Sequence, residues 1–245
     1  MAETVPPSAV GEDGAVEAAD AFGEASVDGG TSILEEAGEF EWTGALEGNG
    51  ALPIFRAAQI QGAYRWAEHR LFALTGRWAA EAALPAVRVQ LDALSMAHAW
   101  HAELWADRLP ALDGIDHDEL TQPSGPVLGP LFEALVQDRP DDARASTEPS
   151  ISTDVWRLSG LARVVLPRFV TQYRRHRDRA VTVAEAPTIR VLRLVADDEA
   201  EAAQIAGDLL AAMVVEPTLA RVADARQDQL EAVIGSFGGG PGLSV

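Results

Sequence analysis

The stretch MAHAWHAELW, residues 96–105, sets His98 and His101 three residues apart inside an apolar run. On a helix that spacing places both imidazoles on one face, about a turn apart. Two imidazoles so placed suit one of two tasks. As neutral ligands they bind a first-row divalent metal together with carboxylates; without a metal they form a buried network of hydrogen bonds to the same carboxylates. The chain has no cysteine, so thiolate metal sites, disulfides and cysteine nucleophiles are excluded, and any metal must be held by His, Asp or Glu. Ser, His and Asp are present, but without a nucleophile elbow or a Gly-rich phosphate loop.

The elements that must position these groups are long helices. The first is expected over roughly 54–83, aligning Ala57, Ile60, Tyr64, Glu68, Leu71 and Trp78 at spacings of three, four and seven. A second, from Pro85 to about Leu109, aligns Val87, Leu91, Leu94, His98, His101 and Trp105, and Pro110 ends it. A long connection follows, turn-rich at LDGIDHDELTQPSGP, with a short helix expected over 127–138 and a polar stretch RPDDARASTEPS. The third helix is expected from a Ser152 or Thr153 cap to about Arg179, aligning Leu158, Ala162, Val165, Phe169, Gln172 and His176, with a kink at Pro167. The fourth, 187 to about 214, aligns Leu192, Val195, Glu199, Ala202, Ala206, Leu209 and Met213, and a short helix over 217–233 closes the series. Strand signals are nearly absent. Two tightly joined long helices, a long crossover and two more long helices predict an all-α fold, a four-helix bundle with one long crossover connection and short extra helices. An α-solenoid is disfavoured because no repeat of the expected period is present.

Over about residues 55–214 the chain resembles the ferritin-like superfamily of carboxylate-bridged di-iron four-helix bundle proteins. In that family one helix of each pair supplies a Glu and the other a Glu-x-x-His, all facing inward. Glu68 stands at the first-helix glutamate. The second-helix motif reads His98-Ala99-Trp100-His101, so His101 matches and His98 replaces the glutamate. Asp198-Glu199-Ala200-Glu201-Ala202 resembles the motif of the second pair, with Glu199 matching and Ala202 in the histidine's place. The third helix carries no Asp or Glu between Asp154 and Asp178, so three of the six family ligands are matched.

The resemblance therefore implies a degenerate member. Two neighbouring cations need several bridging carboxylates to offset their repulsion, and those are missing. The metal candidates are Glu68, His98, His101 and Glu199, with His176 and Tyr173 able to contribute from the third helix. The expected state is metal-free, with a single Fe, Mn or Zn ion as the alternative and a di-iron centre behind both. If the histidines are neutral, replacing both by Leu is expected to shift the melting temperature by only a few degrees. The expected function is a non-catalytic binding or scaffold protein; the alternative is a non-haem metal-dependent oxidase or oxygenase with a reduced site.

The remaining sequence bears on partners. A net charge of −19, with 12 Asp and Glu and no Arg in residues 1–50, argues against nucleic acid. Residues 1–50 are too poor in large apolar side chains to form a core and are expected to be a disordered acidic leader, with the bundle over 51–233 and a flexible tail over 234–245. Within the leader, SILEEAGEFEW interleaves apolar and acidic residues, as a segment laid on the domain or as a docking peptide. The basic run YRRHRDR, 173–179, reads as a solvated helix end or as an anion site, and Trp66, Trp78, Trp100, Trp105 and Trp156 as core or dimer surface. A protein partner or a homo-oligomer is expected. The residues Val233-Ile234-Gly235-Ser236-Phe237 are similar to the short peptides by which cargo attaches inside encapsulin shells, which implies such a shell as a further partner. No membrane-length apolar run or signal segment is seen, so the expected location is cytoplasmic.

Overall fold

The structure, a computed structural model, describes residues 52–137 and 149–237. The acidic leader, most of RPDDARASTEPS and the last eight residues lie outside them. Every regular element among the described residues is helical. None of these helices is long and apolar enough to cross a membrane.

Helix α1 (Ile54–Glu81) and helix α2 (Pro85–Ala106) form the first hairpin. The turn between them has an external clamp. Asp154 accepts hydrogen bonds from Ala83 N at 3.2 Å and Leu84 N at 2.9 Å, so a carboxylate seventy residues away satisfies the backbone donors of the turn just ahead of α2. Burial raises the Asp154 pKa against the opposing pull of these two hydrogen bonds. Asp154→Ala is expected to cost about 1–3 kcal/mol, the range for leaving a buried donor unsatisfied. A urea titration measures it, and an unchanged midpoint would show that the clamp contributes nothing.

The crossover holds a one-turn helix, α3 (His117–Leu120), closed by an Asp116–Glu119 capping box, and then α4 (Gly125–Val136). The sequence predicts turns over 112–126; the capping box is what makes one turn of helix within it. Gly62 is required here, because a Cβ at that position would lie 1.9 Å from the Leu120 carbonyl oxygen.

The third long helix is interrupted. Helix α5 (Ile151–Ser159) starts behind Ser150, whose Oγ accepts from Thr153 N at 3.1 Å, so the cap stands two residues before Ser152 and three before Thr153, the two expected candidates. It continues as a π-helical segment (Gly160–Val165) and then as α6 (Leu166–Arg179). The interruption expected at Pro167 thus takes the form of a widened turn just ahead of it. Proline lacks the N–H that would bond the residue-163 carbonyl, and a π turn absorbs that break in register. It also brings Val164, Val165 and Leu166 all into the core.

Helix α7 (Ala186–Met213) packs along α6 to give the second hairpin and also lies against α2, so the two hairpins face each other. Leu210 takes the core position expected of Leu209, and Leu209 and Met213 are half-buried. Helix α8 (Pro217–Ser236) covers α5 and α4. It runs three residues past the expected end because Ile234 is buried in the core, with Val233 packed beside it. Of the residues Val233-Ile234-Gly235-Ser236-Phe237, the first four form the last turn of α8 and Phe237 caps it, exposed. One core joins the helices other than α3, built around Leu71, Trp78, Leu91, Leu94, Trp105, Leu158, Phe169, Leu192 and Val195, while Leu120 of α3 packs with Ala58 and Leu109 in a small separate cluster.

Candidate metal centre

Four residues from three helices meet in the core. Glu68 of α1, His98 and His101 of α2, and Glu199 of α7 are each at most 1% exposed. Each offers one ligand-type atom, and these atoms all lie within 4.8 Å of one another. The helical register explains the meeting. His98 and His101 share the face of α2 that touches both α1 and α7, while Glu68 and Glu199 lie midway along those neighbours.

The contacts alternate between base and acid. His98 Nδ1 lies 2.7 Å from Glu68 Oε2 and 3.1 Å from Glu199 Oε1. His101 Nδ1 lies 3.2 Å from Glu199 Oε1 and 3.6 Å from Glu68 Oε2. Both imidazoles therefore aim Nδ1 at the same pair of carboxylate oxygens. Two neighbours hold the arrangement from outside. Tyr173 of α6 donates its hydroxyl to Glu68 Oε1 at 2.5 Å, so that oxygen is occupied and Oε2 faces the histidines. Asp198 Oδ2 sits 3.2 Å from His101 Nε2, its side chain 41% exposed where it borders an open groove of about 580 Å3 along α7. A carboxylate on the outer nitrogen orients the ring and frees the inner one to act as a ligand.

The electrostatics follow from burial against pairing. Burial alone would discharge all four groups. It pushes the His98 pKa down, yet the charge and hydrogen bonds of Glu199 and Glu68 overcome it and raise the group to about 9. His101, also opposed by burial, is carried to about 11 by Glu199 and Glu68. Burial pushes Glu68 up, and the hydrogen bonds and charges of His101 and His98 together bring it down to about 2. Without a metal the pairing thus favours the protonated form of both imidazoles and the ionised form of Glu68. Each ring has a carboxylate within hydrogen-bonding distance, which is the circumstance in which buried histidines need not be neutral.

These residues fit one divalent cation. Two carboxylates and two imidazolium ions sum to zero, and so do two carboxylates, two neutral imidazoles and one M2+. One ion can replace two protons with no change in the charge the core must carry. Glu199 Oε2 and His98 Nε2 are buried with no hydrogen-bond partner among the described residues, and the former can turn a one-oxygen ligand into a bidentate one. A second ion does not fit. The α5–α6 helix supplies no carboxylate between Asp154 and Asp178, and Ala202, one turn beyond Glu199, has nothing to coordinate with.

His176 is not brought into the group. Its Nδ1 pairs with Tyr64 OH at 3.1 Å, and burial lowers its pKa to about 4, so it is a neutral ring in a separate contact. Tyr173 takes part, but through Glu68. Asp198 was not singled out from the sequence. It precedes Glu199 in an acidic run and lies some 100° round the helix from it, so periodicity gives no sign that a long histidine on α2 reaches it. No protein-family model, curated protein or solved structure matches the chain.

Proposed function

We propose that the chain is a degenerate ferritin-like four-helix bundle whose centre binds a single divalent first-row metal ion, in a binding or scaffold protein. The convergence of the Glu68, His98, His101 and Glu199 ligand atoms within 4.8 Å, in a fully buried position between two facing hairpins, carries this reading. Two imidazoles and two carboxylates suit Fe(II), Mn(II) or Zn(II). Such an ion supplies a fixed positive charge, and an iron or manganese ion adds redox chemistry. The protein's own contribution is orientation: Tyr173 fixes Glu68 and Asp198 fixes His101.

A second reading is a metal-free ionic network that joins three helices and serves only to specify their packing. The pairing of both histidines with both carboxylates favours it. Metal analysis separates the two. Protein purified without chelator, or apo-protein titrated with Fe(II), Mn(II) and Zn(II), is expected to hold one equivalent, and Glu68→Ala to lose it. No uptake of any of the three, with a melting temperature indifferent to metal, would leave the metal-free network as the answer.

A further inference from the structure

A second polar layer lies deeper toward the end of the helices where α1 and α7 begin and α2 and α6 finish. It comprises Gln61 and Tyr64 of α1, Trp105 of α2, Gln172 and His176 of α6, and Thr188 of α7, all buried. Gln172 Nε2 donates to Tyr64 OH at 3.4 Å, the Tyr64 hydroxyl meets His176 Nδ1 at 3.1 Å, and Gln61 Nε2 donates to Thr188 Oγ1 at 3.4 Å. Since the Tyr64 oxygen accepts from Gln172, its proton points to His176 Nδ1. That selects the tautomer with hydrogen on Nε2.

Four atoms of this one layer have no partner among the described residues: Gln61 Oε1, Gln172 Oε1, His176 Nε2 and Trp105 Nε1. Buried polar groups are seldom left unpaired, and four together ask for a common explanation. Turning either amide does not remove the problem, because it exchanges an unpaired oxygen for an unpaired nitrogen. The set comprises two acceptors, on the glutamines, and two donors, on Trp105 and His176. It contains no charged side chain, so an ion has nothing to balance it, and an apolar guest would satisfy none of the four atoms. The matching ligand is small, neutral, and both donor and acceptor. Water is that molecule.

The layer also has a direction. Gln61 and Thr188 are 6% and 7% exposed, at its rim, whereas Gln172 and His176 are 1% and Trp105 and Tyr64 are 0%. At the inner end the Tyr64 ring meets Tyr173 edge-on with centroids 4.8 Å apart, and Tyr173 is the residue bonded to Glu68. We propose that this layer binds a short file of buried water molecules, running from the Gln61–Thr188 rim to Trp105 and His176 and ending one aromatic contact from the carboxylate–histidine centre. The file gives solvent a second route toward that centre, on the side away from the exposed Asp198 carboxylate.

Water–protein cross-relaxation NMR on the full chain tests this directly. The Trp105 indole N–H and the His176 Nε2–H are expected to show cross-peaks to water with the sign of a long-lived bound molecule. Deuteron relaxation dispersion is expected to report slowly exchanging waters whose number falls in Gln61→Met and in Gln172→Leu. Should Gln172→Leu fail to fold, Gln61→Met, at the rim, carries the comparison. A Trp105 indole proton without a water cross-peak, or a dispersion amplitude unchanged in Gln61→Met, would overturn the proposal. Both signals are expected with chelator present as well as with metal, so loss of the metal reading would leave this one standing.

Discussion

Replacing His98 and His101 together by Leu is expected to lower the stability of the metal-free protein by about 3–5 kcal/mol, the range for breaking a buried ion pair by removing one side. The cause is what the substitution leaves behind. Glu68 and Glu199 are at most 1% exposed, and their nearest cationic partners are the two imidazoles at 2.7–3.2 Å. Stripped of these, the carboxylates must either stay charged in an apolar core or take up protons, and both cost free energy. Only the Tyr173 hydroxyl remains to support Glu68. With neutral histidines the shift would be only a few degrees, less any cost of the stranded glutamates; the close carboxylate contacts favour the larger effect. The fourfold variant Glu68→Leu, His98→Leu, His101→Leu, Glu199→Leu removes both signs of charge together and is expected to recover most of the loss, since apolar groups of similar volume often replace a buried ion pair at little cost. Thermal and urea unfolding with chelator present make the comparison. A double Leu variant as stable as the parent would mean that the network is not ionised.

The second large effect is the response to pH, which is expected to run in opposite directions with and without metal. His98 and His101 have pKa values raised from 6.5 to about 9 and about 11. A raised pKa contributes stability that is complete below the unfolded value and is lost as pH rises through the folded one. From these two groups the metal-free protein should therefore lose stability from about pH 6.5 upward, first through 9 and then through 11. For His98 alone the shift corresponds to about 3 kcal/mol at 1.36 kcal/mol per unit. Glu68 acts in the other sense. Its pKa falls from 4.5 to about 2, so its contribution is present above 4.5 and disappears as pH drops toward 2. Metal-free stability should thus peak between about pH 4.5 and 6.5. A bound cation needs both imidazoles neutral, so binding displaces two protons and its affinity should climb by a factor of about 100 per pH unit across the neutral range. Melting curves at pH 5.5, 7 and 8.5, with chelator and with Mn(II), test the pair of trends. A metal-induced increase in melting temperature that stays the same at all three values would sink the two-proton exchange.

Much of this molecule follows from periodicity alone. The spacing of apolar residues placed α1, α2 and α7 within about three residues of where they stand, because a buried stripe at a 3.6-residue period is imposed by the helix itself. The same period put Glu68, His98, His101 and Glu199 on inward faces, and all four are in the core. Other features depend on how one helix is rotated and set against the next, which no single stripe encodes. Inward-facing His176 pairs with Tyr64 and stays out of the metal group because α6 places it one turn past Tyr173, beyond the level of Glu68. Asp198 reaches His101 although it lies off the inward stripe of α7. The π-helical turn before Pro167 and the burial of Ile234 likewise arise from packing against partners distant in sequence. Even the protonation of the histidines was a tertiary decision. Composition and spacing supply two imidazoles and two carboxylates, but only their approach to within about 3 Å in a buried core favours the charged pairs over the neutral ones.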